Sequence, residues 1–433
     1  MAIDELYTIY LKYPSVQTDS RKCKPGDLFF ALKGENFNGN AFVKQALDKG
    51  AAFAVIDEEE FAVADKTILV NDVLQTLQLL AKHHREQFKN ASPSKGIPFI
   101  AITGSNGKTT SKELVHAVLS TQYKTYTTEG NYNNHIGIPL TILKIKKDAA
   151  IAVIEMGANH QLEIQGYCTY TLPTHGIITN CGKAHLEGFG GVEGVKKGKG
   201  ELYDFLKLNN GVAFVMWDYD YLRRMSNGIP VIIKYGTSGA DVEGEIIKSE
   251  PYLQVKIKKG AEIESIKTQL VGDYNFPNVL LAVTIGKYFK IDDEKIKTAI
   301  ENYQPSNSRS QLLKKGTNTI FMDAYNANPS SMRPAIENFG KLHEADKILM
   351  LGAMAELGEE SLAEHRDIIE LIKQYQWKNV ILVGGDFMKI EHPYLKFENA
   401  EKAREWFHKQ HFENTHFLIK GSRSMKMEKI IEA

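Results

Sequence analysis

Two glycines three residues apart, followed at once by a lysine and two threonines, form the segment Gly104-Ser105-Asn106-Gly107-Lys108-Thr109-Thr110. The apolar run at 97–102 reads as a buried parallel strand, and Leu114, Val115, Val118 and Leu119 then recur at helical spacing. The glycines therefore stand on a strand-loop-helix corner. Such a corner turns backbone N–H groups and the positive end of a helix dipole toward a phosphate. A lysine adds a point charge, and a threonine hydroxyl can ligate Mg²⁺. The segment predicts a nucleoside triphosphate site. Ile102 stands where the longer phosphate-loop pattern has a glycine, so the loop is of the shorter G-x-x-G-K-T kind.

Other residues able to do chemistry fall where strands are expected to end. The run 149–154 leads into Glu155, an acid placed to hold Mg²⁺ beside the phosphate loop or to face water. The run 176–179 leads into a loop carrying His185, which is neutral enough at pH 7 to ligate a metal but is equally at home in solvent. A helix over 192–206 carries Lys196, Lys197 and Lys199. These form a solvated basic face, or else crowding lowers one pKa and leaves a nucleophilic amine.

The loop 130–137 offers Asn133 and Asn134 to phosphate or substrate, or folds as Asx-turns. Asn275 and Asn278 meet an adenine edge or cap the helix they open, which runs to Phe289. The segments 323–329 and 420–424 follow the first and last strands expected in the C-terminal part, where a ligand could be clamped between domains. Near the N-terminus, the polar loops 18–21 and 33–40 suit a sugar or nucleobase and equally suit plain turns.

The elements that must position these residues alternate strand and helix, which predicts an α/β protein of three domains. Residues 1–92 form a small α/β domain. Residues 97–303 form a central parallel sheet of phosphate-loop type with helices on both faces, and 308–433 form a Rossmann-like domain. Linkers are expected at 91–96 and 302–307. Lys+Arg and Asp+Glu both number 53 in 433 residues, so no global field favours nucleic acid or an anionic membrane. No apolar run approaches bilayer length and the first residues lack a signal peptide, so no membrane insertion and a cytoplasmic location are expected. Cys23, Cys168 and Cys181 read as free thiols.

Taken together, these segments closely resemble the ATP-dependent Mur ligase family over essentially the whole chain. The resemblance rests on Asp19-Ser20-Arg21 and Pro25-Gly26-Asp27-Leu28-Phe29 in the first domain, and on 103–110, 130–141, Glu155-Met156-Gly157-Ala158 and 184–190 in the second. In the third it rests on 323–332, Leu357-Gly358 and 420–425. Within the family, Tyr325-Asn326-Ala327-Asn328-Pro329 and His185-Leu186-Glu187-Gly188 point to the member that adds a dipeptide.

The resemblance implies an amide ligase of peptidoglycan precursor synthesis, acting as a monomer. Its substrates would be UDP-N-acetylmuramoyl-tripeptide, D-alanyl-D-alanine and ATP with two Mg²⁺ ions. Ser20, Arg21 and Asn36 would serve the UDP substrate, with Asn133 and Asn134 lining the substrate and phosphate region. Gly104, Ser105, Asn106, Gly107, Lys108, Thr109 and Thr110 would hold the triphosphate. Thr109, Glu155, His185 and a carbamylated Lys199 would serve the metals, and Lys108, Lys199 and His185 the catalysis. Asn275 and Asn278 would meet adenine and Arg309 the phosphates, with Asp323, Tyr325, Asn326 and Asn328 at the ribose and base. Ala353 replaces a frequent Asp of the family, whose hydrogen bonding would fall to Glu356, and Asn38 and Asn40 stand where Asp and His are frequent. Another Mur-type ligase adding one amino acid, or a phosphate-loop kinase, would share much of this apparatus.

Overall fold

The computed structural model describes residues 1–89, 96–306, 308–344 and 346–432. Of the two expected linkers, 91–95 and Asn307 lie outside the described residues, as do the expected domain ends at 92 and 433. The fold is α/β, built on three large sheets.

The N-terminal sheet consists of four short parallel strands, Val16–Gln17, Leu28–Phe30, Phe53–Ile56 and Thr67–Leu69, side by side in chain order. Alternation sorts their side chains. Phe29, Ala54 and Ile56 enclose a small core with Val43 and Ala46, while Leu28, Phe30 and Val55 join the large core shared with the next domain. Helix Val73–Glu86, capped by Asp72 accepting from the Gln75 N–H at 2.7 Å, buries Leu77, Leu80, Ala81 and His84 along one stripe. That stripe packs against central helices Gly137–Leu143 and Glu163–Thr171.

The central sheet has nine strands. From one edge these are Thr125–Thr127, Ile151–Glu155, Phe99–Thr103, His175–Ile178, Val212–Met216, Val231–Gly236, Val242–Lys248, Gln254–Lys259 and Ile266–Lys267. The first seven are parallel, but the last two are joined by antiparallel pairing, so the expected all-parallel sheet is corrected to a mixed one. The added strands have one wet face: Val255 and Ile257 are buried while Lys256 and Lys258 are exposed. Helix Phe276–Tyr288, apolar almost all round, lies buried between this extension and helix Lys108–Ser120.

The C-terminal sheet runs Gln311–Lys315, Asn318–Asp323, His416–Lys420, Lys347–Gly352, Asn379–Val383, Leu395–Phe397. Its first pair is antiparallel and the rest parallel. Among the described residues no helix is long and apolar enough to cross a membrane, and Cys23, Cys168 and Cys181 are free and buried.

Candidate active site

Six central strands end around one cleft of about 860 Å³, whose far wall comes from the C-terminal domain. The phosphate-loop corner forms its floor. Strand Phe99–Thr103 is buried throughout, and helix Lys108–Ser120 starts from Gly107 at φ 79°. Gly104, at φ 138°, lies so close to Thr179 that a Cβ there would overlap its hydroxyl. The loop is tied to the next strand end: Ser105 N–H donates to the Asn180 carbonyl at 2.9 Å, and Asn106 N–H to Asn180 Oδ1 at 3.0 Å. Lys108 Nζ curls back onto the Gly104 and Ser105 carbonyls at 2.6 and 3.1 Å. Enclosure pushes its ammonium down to about 8, against the raising effect of Glu155.

Glu155 is 1% exposed at the end of its strand. One oxygen accepts from Asn133 Nδ2 at 2.8 Å and from the Thr109 hydroxyl at 3.2 Å, and the other is buried without a partner. An orphaned carboxylate oxygen beside a threonine hydroxyl fits a hard divalent cation. Among the described residues no three His, Cys, Asp or Glu side chains form a cage, as befits Mg²⁺, which is commonly held by one or two protein oxygens plus phosphates. Asn134 makes the Asx-turn, its Oδ1 accepting from the Ile136 and Gly137 N–H groups at 3.2 and 2.8 Å.

Lys199 lies behind the cleft wall, 1% exposed, on helix Val192–Leu208. Its Nζ donates to the Ala158 carbonyl at 2.9 Å and sits 4.8 Å from the Phe189 ring centroid. Burial pushes its pKa down to about 7, with the Lys108 charge adding to the effect. The cause differs from the expected crowding by Lys196 and Lys197, which stay in or near solvent. The solvated-face reading therefore fails at Lys199 alone.

His185 adopts φ 53° and Glu356, across the cleft, φ 62°. Such left-handed backbone costs each residue about 1–2 kcal/mol. The imidazole Nδ1 lies 2.5 Å from Glu356 Oε2, outside hydrogen-bond alignment, and its proximity holds that carboxyl below its ordinary range. Beside it, Lys183 pairs with Glu364, and the Lys183 N–H donates to Ser330 Oγ at 2.7 Å.

The C-terminal wall begins with Asn328, which caps helix Pro329–Lys341 by accepting from the Ser331 N–H at 3.0 Å. Its amide also donates to Asn106 Oδ1 at 2.8 Å. The starts of helices Lys108–Ser120 and Pro329–Lys341 thus meet across the cleft, two positive dipole ends suited to a polyphosphate. Asp323 bonds buried Lys420 at 2.5 Å, and the Arg309 guanidinium stacks 3.4 Å over the Tyr325 ring.

Of the residues predicted from the sequence, Ser105 through Thr110, Asn133, Asn134, Glu155, His185, Asn275, Asn278, Arg309, Asp323, Tyr325, Asn326 and Asn328 all line this cleft. Gly104 and Lys199 stand just behind it. Ser20, Arg21 and Asn36 do not reach it: Ser20 is buried on Gln45 at 2.6 Å, Arg21 pairs with Asp19 at 2.9 Å, and Asn36 is exposed. The capping role weighed for Asn275 is not the one found. Its amide donates to the Val271 carbonyl at 2.8 Å and its Oδ1 accepts from Asn278, which leaves the helix uncapped by a side chain. Ala353 is buried against Gly385, whereas Glu356 reaches the cleft.

The expected segment 420–424 brings Lys420 to the cleft, whereas sequence reasoning missed Asn180 and the stacked pair Tyr219 and Tyr221, whose rings lie 5.7 Å apart. Each follows or ends a sheet strand, so the strand-end rule applied one strand further would have found the tyrosines.

Family descriptions cover most of the chain: the Mur ligase family catalytic domain matches residues 12–85, the Mur ligase middle domain 102–286 and the Mur ligase glutamate ligase domain 308–423. The chain belongs to the Mur ligase family. It is 34% identical to the UDP-N-acetylmuramoyl-tripeptide–D-alanyl-D-alanine ligase of Bacillus subtilis (strain 168), over 96% of this chain and 92% of that one. To the ligase of the same name from Escherichia coli (strain K12) it is 32% identical, over 99% and 95%. Among solved structures, MurF from Acinetobacter baumannii superposes with a TM-score of 0.88 at 28% identity, covering 99% of this chain and 97% of that one. MurF ligase from Thermotoga maritima in complex with ADP gives 0.86 at 25% identity, covering 97% of each chain.

Proposed function

We propose that this chain joins D-alanyl-D-alanine to the terminal carboxylate of UDP-N-acetylmuramoyl-tripeptide, with ATP cleaved to ADP and phosphate, as a cytoplasmic monomer in peptidoglycan precursor synthesis. The observation that carries the reading is the near full-length likeness to ligases of that name, with the phosphate loop, Glu155 and His185 all facing one cleft.

In this reading residues 1–92 hold the UDP moiety, with Ser20, Arg21 and Asn36 among the contacts, residues 97–303 bind ATP, and 308–433 close over it. Asn275 and Asn278 face adenine, Arg309 the phosphates, and Asp323, Tyr325, Asn326 and Asn328 the ribose and base. The substrate carboxylate attacks the γ-phosphate and ADP departs, leaving an acyl phosphate. Lys108 and the two helix starts offset the repulsion between the approaching anions. The dipeptide amine then attacks the carbonyl and loses a proton, and phosphate leaves the tetrahedral intermediate. The C-terminal wall keeps water from the acyl phosphate meanwhile.

Two Mg²⁺ ions, held by Thr109 and Glu155 and by His185 and Lys199, would neutralise phosphate charge. Lys199 suits this role as a carbamate, since burial pushes its pKa down to about 7 and so raises the share of neutral amine that can add CO₂.

Mass spectrometry of products from ATP, D-alanyl-D-alanine and the lysine- or diaminopimelate-containing UDP-tripeptide tests the reaction. An amide product with ADP is expected, whereas ADP without amide product, or neither, sinks it. Lys199→Ala should lower turnover at least a hundredfold and regain part of it with short carboxylic acids; unchanged turnover removes the carbamate.

A further inference from the structure

Four carboxylates line the cleft, and three are each held by two protein donors. Glu163 accepts from the Asn159 and His160 N–H groups at 2.7 and 3.1 Å. Asp323 is held by Lys420 and by the Ser310 N–H at 3.1 Å, and Glu155 by Asn133 and Thr109. Glu356 differs. Its side chain is 50% exposed, and among the described residues its only side-chain partner is His185.

The incoming dipeptide carries an α-ammonium group at neutral pH. It must be presented to the activated carbonyl within the cleft that Glu155, His185 and Glu356 line. We propose that Glu356 seats that ammonium group, an inference that rests on the amide-ligase reading above.

Three features support it. The His185 Nδ1 lies 2.5 Å from the carboxylate but out of hydrogen-bond alignment, so the half-exposed carboxylate keeps its acceptor positions for another donor. The turn that carries Glu356 is fixed from behind: Met354 N–H donates to His365 Nε2 at 3.0 Å, His365 Nδ1 donates to the Ser361 carbonyl at 2.7 Å, and Ser422 Oγ donates to the Ala353 carbonyl at 2.6 Å. The strained φ of 62° at Glu356 aims the side chain into the cleft from this anchored turn, the kind of outlier that marks a functional site.

The test is steady-state kinetics on the full chain with Glu356→Gln and Glu356→Asp, varying D-alanyl-D-alanine, ATP and UDP-tripeptide in turn. Glu356→Gln should raise KM for the dipeptide at least tenfold and Glu356→Asp by less, with KM for ATP and for the UDP-tripeptide moving less than twofold. An unchanged dipeptide KM overturns the assignment. So does a joint rise of all three KM values, the mark of a residue that merely latches two domains. Failure of the unaltered chain to turn over the dipeptide removes the amide-ligase reading itself, and this assignment with it.

Discussion

The central domain shares a hydrophobic core with both neighbours, but its polar contacts with the two differ. Toward the N-terminal domain the interface is buried: the Arg85 guanidinium lies 3.8 Å from the Phe99 ring centroid and donates to the Thr171 and Leu172 carbonyls at 3.0 and 3.1 Å. His84 is wedged between the Tyr7 hydroxyl and the Ile145 carbonyl at 3.0 and 2.7 Å, and Tyr10 bonds the Leu143 carbonyl. Toward the C-terminal domain the contacts around the cleft are polar side chains partly in water, such as Asn106 with Asn328, Lys183 with Glu364 and His185 with Glu356. Buried, hydrogen-bonded surface is costly to part, whereas exposed ion pairs contribute about 0–1 kcal/mol each. The polar contacts of the first interface are withdrawn from water, and those around the cleft are less so.

The strongest challenge to this contrast is Arg85→Ala. Removing the guanidinium strips two carbonyls of a charged donor and uncovers Phe99, so unfolding free energy should fall by about 3 kcal/mol, read as an earlier denaturation midpoint. A shift no larger than that of a cleft-side variant would erase the distinction.

The next effect is pH-dependent. Burial lowers the pKa of His84, so between 6.5 and its folded value the unfolded chain binds more protons, and stability falls as pH falls. The loss is at most about 1.4 kcal/mol per pH unit for one group. His175, pushed down to about 4 by burial, acts with the same sign from 6.5 to about 4. Denaturation between pH 7 and 5 should therefore show a positive slope of stability against pH, shallower in His84→Gln, while an identical slope would place the titration elsewhere.

On the cleft side, a double-mutant cycle of Asn106→Ala and Asn328→Ala should give a coupling of about 1 kcal/mol, and additivity would mean that the amides do not hold each other. Smallest of all, Glu364→Gln should change stability by less than about 1 kcal/mol yet enlarge the radius of gyration in X-ray scattering without nucleotide. A large stability loss there would make both interfaces alike.

Much of this was legible because it is local. The phosphate loop announces itself by an apolar strand, two glycines and a helix within two dozen residues, and Glu155 by the strand it ends. Lys199 was harder. Neighbouring lysines suggested a wet face, though Val195, Leu202 and Leu206 at helical spacing place it on the buried stripe. Partners far apart in sequence, such as Glu356 against His185 and Asn328 against Asn106, carry no local signal, since only the packing of separate domains brings them together. The antiparallel extension at 242–267 escaped for another reason: a half-exposed hairpin breaks the βαβ rhythm expected of its sheet.

Two helices begin at the same gap, one on each domain, each bringing a positive partial charge to it. Left to themselves such ends push apart, and a multiply charged anion between them reverses the sign of that force. An anion bound at this gap would therefore draw the two domains together, and its loss would remove that attraction.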